Sequence, residues 1–289
     1  MPSVDIALPF YGDVGYLKLA VESVLNQTDQ DWRLLVSDDG YPDPHVSQWF
    51  KSLDDQRIFY SRNEFNLGAN GNFRKCLEMV SADYLVVMGA DDVMHSNYLS
   101  VMRNHIKLNQ GISIVQPQVR VIDSKGVPIN PVADRIKNRI RPSAGIHNGE
   151  KTCARLMTGN WLYFPSIMWR ASDVKTIGFR EDLNVAQDLG LAIDVLKAGK
   201  SMLVVNETLF DYRRHSGGDS ITRALSGDRF IEERAFFEIL EMEFKILDWK
   251  EAKRAAKLHL SSRLYAGQLL PSAIMKGKNP YQLVKHILA

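Results

Sequence analysis

Short apolar runs rich in β-branched residues alternate with stretches of helical periodicity through the first half of the chain. The runs Val4–Phe10, Trp32–Ser37, Ile58–Ser61 and Tyr84–Met88 read as strands. The periodic stretches beginning near Val14, Pro44, Ala69 and Ser96 read as helices. Strand, helix, strand at this spacing predicts right-handed crossovers and a mostly parallel sheet covered on both faces, an α/β fold. Ligands of such a sheet bind beyond the carboxyl ends of its strands. The residues to inspect are therefore Pro9, Phe10 and Tyr11, then Asp38 and Asp39, Arg62 and Asn63, and Asp91 and Asp92.

Beyond a further strand at Ile112–Asp123 the pattern loosens. Asn130–Asn148 carries Pro131, Pro142 and Gly145 among the basic residues Arg135, Lys137, Arg139 and Arg141, and reads as a long mobile loop, free or ordered over a ligand. Periodicity then predicts a helix near Glu150–Thr158, a strand near Phe164–Trp169, a helix from about Ala186 to Ala198 and a strand at Met202–Phe210. From Asp228 onward the chain reads as helical, broken around Pro271 and Gly277–Pro280. These elements divide into a sheet-bearing domain, residues 1–222 with halves 1–123 and 124–222, and a helical extension, residues 223–289.

Composition narrows the function less than the pattern does. The 289 residues are 45% hydrophobic and 24% charged, ordinary for a globular protein, and a formal net charge of +2 is too balanced to argue for nucleic acid as the main partner. The charge is uneven, however. From position 250 onward Lys250, Lys253, Arg254, Lys257, Arg263, Lys276, Lys278 and Lys285 face a single acid, Glu251. Such a tail suits an anionic membrane surface, a subunit contact in a homodimer, or a solvated helix face. Cys76 and Cys153 form neither a disulfide framework nor a metal-ligand spacing, which fits a reducing compartment. No secretory leader or membrane span is visible, so the expected location is cytoplasmic, peripheral to the inner membrane face if the tail binds lipid.

Five short segments offer chemistry, each with a plainer reading beside it. Asp91 and Asp92 end the fourth strand side by side. They suit a solvated turn or helix cap, or a divalent cation that offsets their repulsion. The SDDG turn places Asp38 and Asp39 where an acid either shapes the turn or accepts from a ribose or base. The loop NLGANGN, Asn66 to Asn72, leads into a helix, and Gly68 and Gly71 permit close backbone approach to a ligand or simply a packed turn. Asp188 starts an amphipathic helix, as a stabiliser of its dipole or as a rigidly held general base. Arg213, Arg214 and His215 follow a strand, where they serve packing or meet a diphosphate and a metal.

Taken in order, LPFYGDVGYLKLAVESVLNQT, SDDG, NLGANGN, GADD, GNWLYFPSIMWR, the acid of AQD and YRRH resemble the inverting glycosyltransferases of family 2, over about Val4 to Thr222. The resemblance implies a GT-A fold, which is Rossmann-like, with residues 1–123 binding a nucleotide sugar and 124–222 the acceptor. It implies a UDP- or dTDP-sugar donor, a divalent metal (Mn²⁺ or Mg²⁺), and a saccharide or lipid-linked acceptor in polysaccharide or glycoconjugate synthesis. Carried over by position, Pro9, Tyr11 and Asp39 resemble contacts to base and ribose. The wider donor pocket takes in Phe10, Asp38, Asn66, Gly68, Asn70, Asn72, Gly89 and Ala90. Asp91 matches the metal-binding acid of the Asp-X-Asp motif and Asp92 its neighbour. His215 resembles a further metal ligand, Arg213 a diphosphate contact and Asp188 the catalytic base. Asn160, Trp161 and Gln187 fall on the acceptor side.

Two positions depart from the family pattern: Gly89 stands where Asp-X-Asp has its first acid, and Gln187 where the family often has Glu. A sugar nucleotidyltransferase would share the sheet but calls for a basic glycine-rich first loop. Here no lysine or arginine precedes Lys18. A non-catalytic binder of the same fold would share everything except turnover.

Overall fold

The structure, a computed structural model, describes residues 2–214, 224 and 226–288. Its sheet begins with four parallel strands, β1 (Val4–Phe10), β2 (Trp32–Asp38), β3 (Ile58–Arg62) and β4 (Tyr84–Val87), in the order β3-β2-β1-β4. Val4 lies opposite both Trp32 and Tyr84, and Phe10 opposite Asp38, so the carboxyl ends form one edge. Helices α1 (Val14–Leu25), α2 (His45–Ser52) and α3 (Gly68–Met79) make the crossovers. β1 and β4 are apolar almost throughout because both faces are covered. Ile6 and Leu8 pack against Leu17 and Val21 of α1, whereas Leu85 and Val87 face the second core.

Past β4 the sheet becomes mixed. A short strand β8 (Met168–Arg170) runs antiparallel between β4 and β6 (Ile114–Ile122), and β6 pairs in parallel with β9 (Ser201–Arg213). The two-residue strand β5 (Val93–Met94) pairs with the far end of β9, while β7 (Gly145–Asn148) pairs with its start. Helices α4 (Tyr98–Leu108), α6 (Gly149–Thr158), α7 (Ala171–Ile177) and α8 (Gln187–Lys197) cover the faces.

Three expectations change. The strand expected at Phe164–Trp169 divides into a single 3₁₀ turn, Phe164–Ser166, and the later β8, because Pro165 has no N–H to give a ladder. The stretch Asn130–Asn148 holds helix α5 (Val132–Ile140) and strand β7 rather than an open loop. Pro271 does not end a helix: the helix Leu260–Met275 runs through it, and the chain turns at Gly277–Pro280 as expected. One missing N–H leaves that helix's flanking bonds in place, and Ala266 and Ala273 on either side are buried.

The carboxyl-terminal helices are α9 (Asp228–Ile246), α10 (Lys250–Leu258), α11 (Leu260–Met275) and α12 (Tyr281–Leu288). Phe236, Leu240 and Phe244 of α9 and Ala252 and Ala256 of α10 enter the main core beside Trp161 and Leu196. In contrast, α11 and α12 share a small core of their own, where Ala266, Ala273 and Leu283 meet Phe230.

Candidate active site

The first strand end supplies an aromatic rim. Phe10 is wholly buried, so only its backbone reaches the edge, where its carbonyl accepts from Asp39 N at 2.9 Å. Tyr11 is 56% exposed, with its ring 5.7 Å from that of Tyr41 and nearly perpendicular to it. An exposed ring beside an acidic turn can stack on a base.

The acids of SDDG differ. Asp38 accepts from Tyr41 N at 2.7 Å and from the Tyr60 hydroxyl, so both of its oxygens serve the turn. Asp39 Oδ1 accepts from Leu67 N at 2.8 Å and Asn63 Nδ2 at 2.9 Å, which folds the NLGANGN loop against β2. Gly40 allows that approach: it has φ +73°, and a Cβ there would meet the Phe65 carbonyl carbon at 3.2 Å.

The asparagines of NLGANGN brace the chain rather than line an open cleft. Asn66 Oδ1 accepts from Gly68 N at 2.8 Å, while Asn72 exchanges bonds with the Ser37 hydroxyl and carbonyl at 2.6 and 2.9 Å. Asn70 donates to the Leu183 carbonyl near α8, leaving its buried Oδ1 without a partner.

Gly89, Ala90, Asp91 and Asp92 follow β4 at the centre of the sheet. Asp92 is 1% exposed; its Oδ1 accepts from Arg213 N at 2.8 Å and its Oδ2 has no donor. Burial, then the Asp91 charge, raises the Asp92 pKa well above the ordinary carboxylate range. Gly89 explains the crowding. A Cβ at that position would stand 2.6 Å from Asp92 Oδ2 and 3.0 Å from Asp91 Oδ1, so the two carboxylates converge on the space a side chain would occupy. The missing first acid of Asp-X-Asp therefore coincides with Asp92 turned inward. Carboxylate oxygens are the donor type a hard divalent cation takes, but among the described residues no three or more His, Cys, Asp or Glu side chains gather as a metal-holding group.

Arg213 is directed at backbone carbonyls. Its side chain is buried, donating from Nε to the Asp91 carbonyl at 2.7 Å and from Nη1 to the Asp123 carbonyl at 3.1 Å, and lies 4.6 Å from the Tyr16 ring centre. These bonds clamp the acidic turn. Trp161, expected toward the acceptor, is also buried, with its ring in the core. Asn160 Oδ1 accepts from Leu162 N at 3.1 Å, and Gln187 keeps a buried Oε1 without a partner. His215 lies outside the described residues.

Asp188 opens α8 half-buried, its Oδ1 accepting from Leu189 N at 2.7 Å. Burial raises its pKa; the Leu189 bond and the charges of Lys137 and Arg229 oppose the rise. Tyr212 of β9 joins the two acidic sites. Burial, then Asp92, Asp91 and Asp188, push its phenol upward, so all three carboxylates act on one hydroxyl. Asp188, far along the chain from Asp91 and Asp92, therefore lies with them near the Tyr212 side chain.

Around Tyr212, sequence reasoning named Lys137 and Arg214 but passed over Asp134. Asp134 of α5 is 1% exposed and accepts from Arg214 Nε and Nη2, each at 2.7 Å, and from the Tyr163 hydroxyl at 2.6 Å. Tyr163 in turn packs edge-on against Tyr212 at 5.3 Å. One turn along α5, Lys137 Nζ donates to the Leu162 carbonyl at 2.9 Å and sits 4.6 Å from the Tyr163 ring centre. The only signal along the chain was the polar spacing of 134, 137 and 141.

A mixed central sheet flanked by helices in this order is the architecture of the GT-A class. The chain matches the family model Glycosyl transferase family 2 over residues 5–171, and it belongs to that family, the glycosyltransferases of family 2. It is similar to an uncharacterized glycosyltransferase of Methanocaldococcus jannaschii, 23% identical over 73% of this chain and 71% of that protein. It is also similar to the UDP-Glc:alpha-D-GlcNAc-diphosphoundecaprenol beta-1,3-glucosyltransferase of Escherichia coli, 30% identical over 43% of this chain and 48% of that enzyme. The latter match thus spans under half of the relative's length. Among solved structures, S. aureus TarS 1–349 in complex with UDP-GlcNAc shares the fold, with a TM-score of 0.62 at 14% identity over 97% of this chain and 89% of that one.

Proposed function

We propose that this glycosyltransferase moves a sugar from a nucleoside diphosphate donor, UDP- or dTDP-linked, to an acceptor hydroxyl by a single in-line displacement with inversion. The acceptor hydroxyl gives its proton to the Asp188 carboxylate as the new carbon–oxygen bond forms at the anomeric carbon. The bond to the diphosphate breaks on the opposite face, and its electron pair leaves with the nucleoside diphosphate. The observation that carries this reading is Tyr212, whose phenol lies within electrostatic reach of Asp91, Asp92 and Asp188 together. A base and a charge-handling site must lie that close for one displacement to use both.

Tyr11, Pro9 and Asp39 are the donor contacts in this reading, with Tyr11 stacking on the base. Asp91 and Asp92 would hold a divalent cation, Mn²⁺ or Mg²⁺, which supplies charge neutralisation at the diphosphate when bound. Arg213 keeps the acidic turn in shape from behind, while Arg214, positioned by Asp134, adds positive charge at the cleft wall. The unpartnered Gln187 Oε1 is an acceptor for a sugar hydroxyl one residue before the base. The diphosphoundecaprenol-linked substrate in the name of the E. coli relative supports a lipid-diphosphate acceptor and a place in cell-surface polysaccharide synthesis.

The test is Asp188→Asn. Transfer should fall by about 10³-fold, within the range general-base loss produces, while UDP affinity by calorimetry stays unchanged. Activity within tenfold of the parent chain removes the base from this mechanism.

A further inference from the structure

The hairpin of α11 and α12 buries little and exposes much. Its inner side carries the small core around Ala266, Ala273 and Leu283. On the outer side Leu264, Ile274 and Met275 of α11 and Tyr281, Val284 and Leu288 of α12 are exposed, at 74% for Leu264, 88% for Met275 and 77% for Leu288. Their spacing is helical, so each set forms a stripe along its helix. The other exposed positions of α11 from Leu264 to Met275 are Gly267, Gln268, Pro271 and Ser272, none charged. Solvent-facing stripes of surface helices normally carry charge, and an uncharged apolar one marks a contact surface.

Charge indicates the partner. From Ala252 onward the sequence contains no Asp or Glu, against seven Lys and Arg residues. Lys276 and Lys278 lie at the turn of the hairpin and Lys285 is exposed on α12. A second copy meeting this face about a twofold axis would set lysines near lysines with no carboxylate from the hairpin to receive them. An anionic lipid surface accepts both features, with apolar side chains at the acyl boundary and ammonium groups among phosphates. No helix among the described residues is long and apolar enough to cross a membrane, so contact would be interfacial.

The hairpin also lies beside Arg229 and Gly159. The Arg229 guanidinium lies 5.2 Å from the Tyr265 ring centre on α11 and acts electrostatically on Asp188. Ser261 of α11 approaches Gly159, next to Asn160; a Cβ on that glycine would stand 3.6 Å from the serine Cβ.

We propose that the outer face of the α11–α12 hairpin docks the enzyme on an anionic lipid bilayer. Its use in presenting a lipid-linked acceptor to Asp188 rests on the function proposed above; the docking itself does not. The full chain should co-sediment with phosphatidylglycerol-containing vesicles and much less with phosphatidylcholine vesicles. Leu264→Glu with Met275→Glu, both fully solvent-facing changes, should weaken the partition by about tenfold or more with unchanged circular dichroism. Lys276→Gln with Lys278→Gln should lose the preference for phosphatidylglycerol. The Asp188→Asn variant should bind vesicles like the parent, so failure of the base assignment would leave this result standing. Docking is overturned if the parent chain stays in the supernatant, if the Leu264 and Met275 changes have no effect, or if light scattering shows a dimer that those changes dissolve while vesicles bind neither form.

Discussion

Lys137 and Asp188 depart from their ordinary protonation in opposite senses, each within reach of the other's charge. Burial, then the Arg214 charge, draws the amine down to about 8, with Asp188 and Asp134 acting against the fall. Burial lifts Asp188, and Lys137 is the largest of the charges resisting that rise. Replacing Lys137 by Met removes this resistance, so the Asp188 pKa should climb further and the acid limb of kcat/KM should move up by about one pH unit. Lys137→Arg should restore the limb, which a purely packing role would not require. Stability should respond in the other direction. An amine whose folded pKa lies below its unfolded value costs stability at pH values below the folded one. That cost fades as pH rises toward about 10. At pH 7 it amounts to at most about 3 kcal/mol, against about 1 kcal/mol for the lost bond to the Leu162 carbonyl. Lys137→Met should therefore raise the melting temperature at pH 7, and lose that advantage above about pH 10.

The helix that carries Asp188 is also held by α9. Glu232 of α9 accepts from the backbone N–H groups of Asn184, Val185 and Ala186, at 3.0, 2.7 and 2.9 Å, just ahead of α8. A carboxylate there satisfies donors that the helix start leaves open and suits its positive end. Glu232→Ala should cost about 2 kcal/mol in urea unfolding and lower kcat with little change in donor KM, because the donor contacts proposed above lie on β1, β2 and α3. Elements differ in how plainly they announce themselves. Strands β1, β2 and β4 were legible because a continuous apolar run has few other uses in a soluble α/β chain. Helix α5 was not, because its inward face is polar: Asp134 binds Arg214, Lys137 reaches the Leu162 carbonyl and Arg141 the Val205 carbonyl. A search for apolar periodicity cannot see such a helix. The missed turn at Phe164–Ser166 has a simpler cause: Pro165 forbids the ladder that the surrounding hydrophobicity suggests.

At the scale of the whole molecule, α9 and α10 belong to the main body and the α11–α12 hairpin is an appendage. Phe236 and Phe244 lie in the main core, whereas Ala266, Ala273, Leu283 and Phe230 form a separate, smaller cluster flanked by Tyr265, Leu269, Leu270 and Ile287. Hydrogen exchange should find residues 260–288 opening well before the amides of β1 and β4, as a unit of lower local stability. Equal protection of hairpin and sheet would mean a single cooperative body.

By itself the sequence determined the parallel strands and the acids at their carboxyl ends, since both follow from local pattern and from the rule that such sheets bind ligands there. It also marked Asp188 as a rigidly placed acid. Only the tertiary structure decided which partners these side chains meet. Arg213 and Arg214 are neighbours in the chain, yet one turns inward to the Asp91 carbonyl and the other toward Asp134. Asp92 and Arg213 meet across 121 positions, and Asp134 and Arg214 across 80. Partners that distant leave no period or motif along the chain, because their choice is made by packing once the sheet has formed.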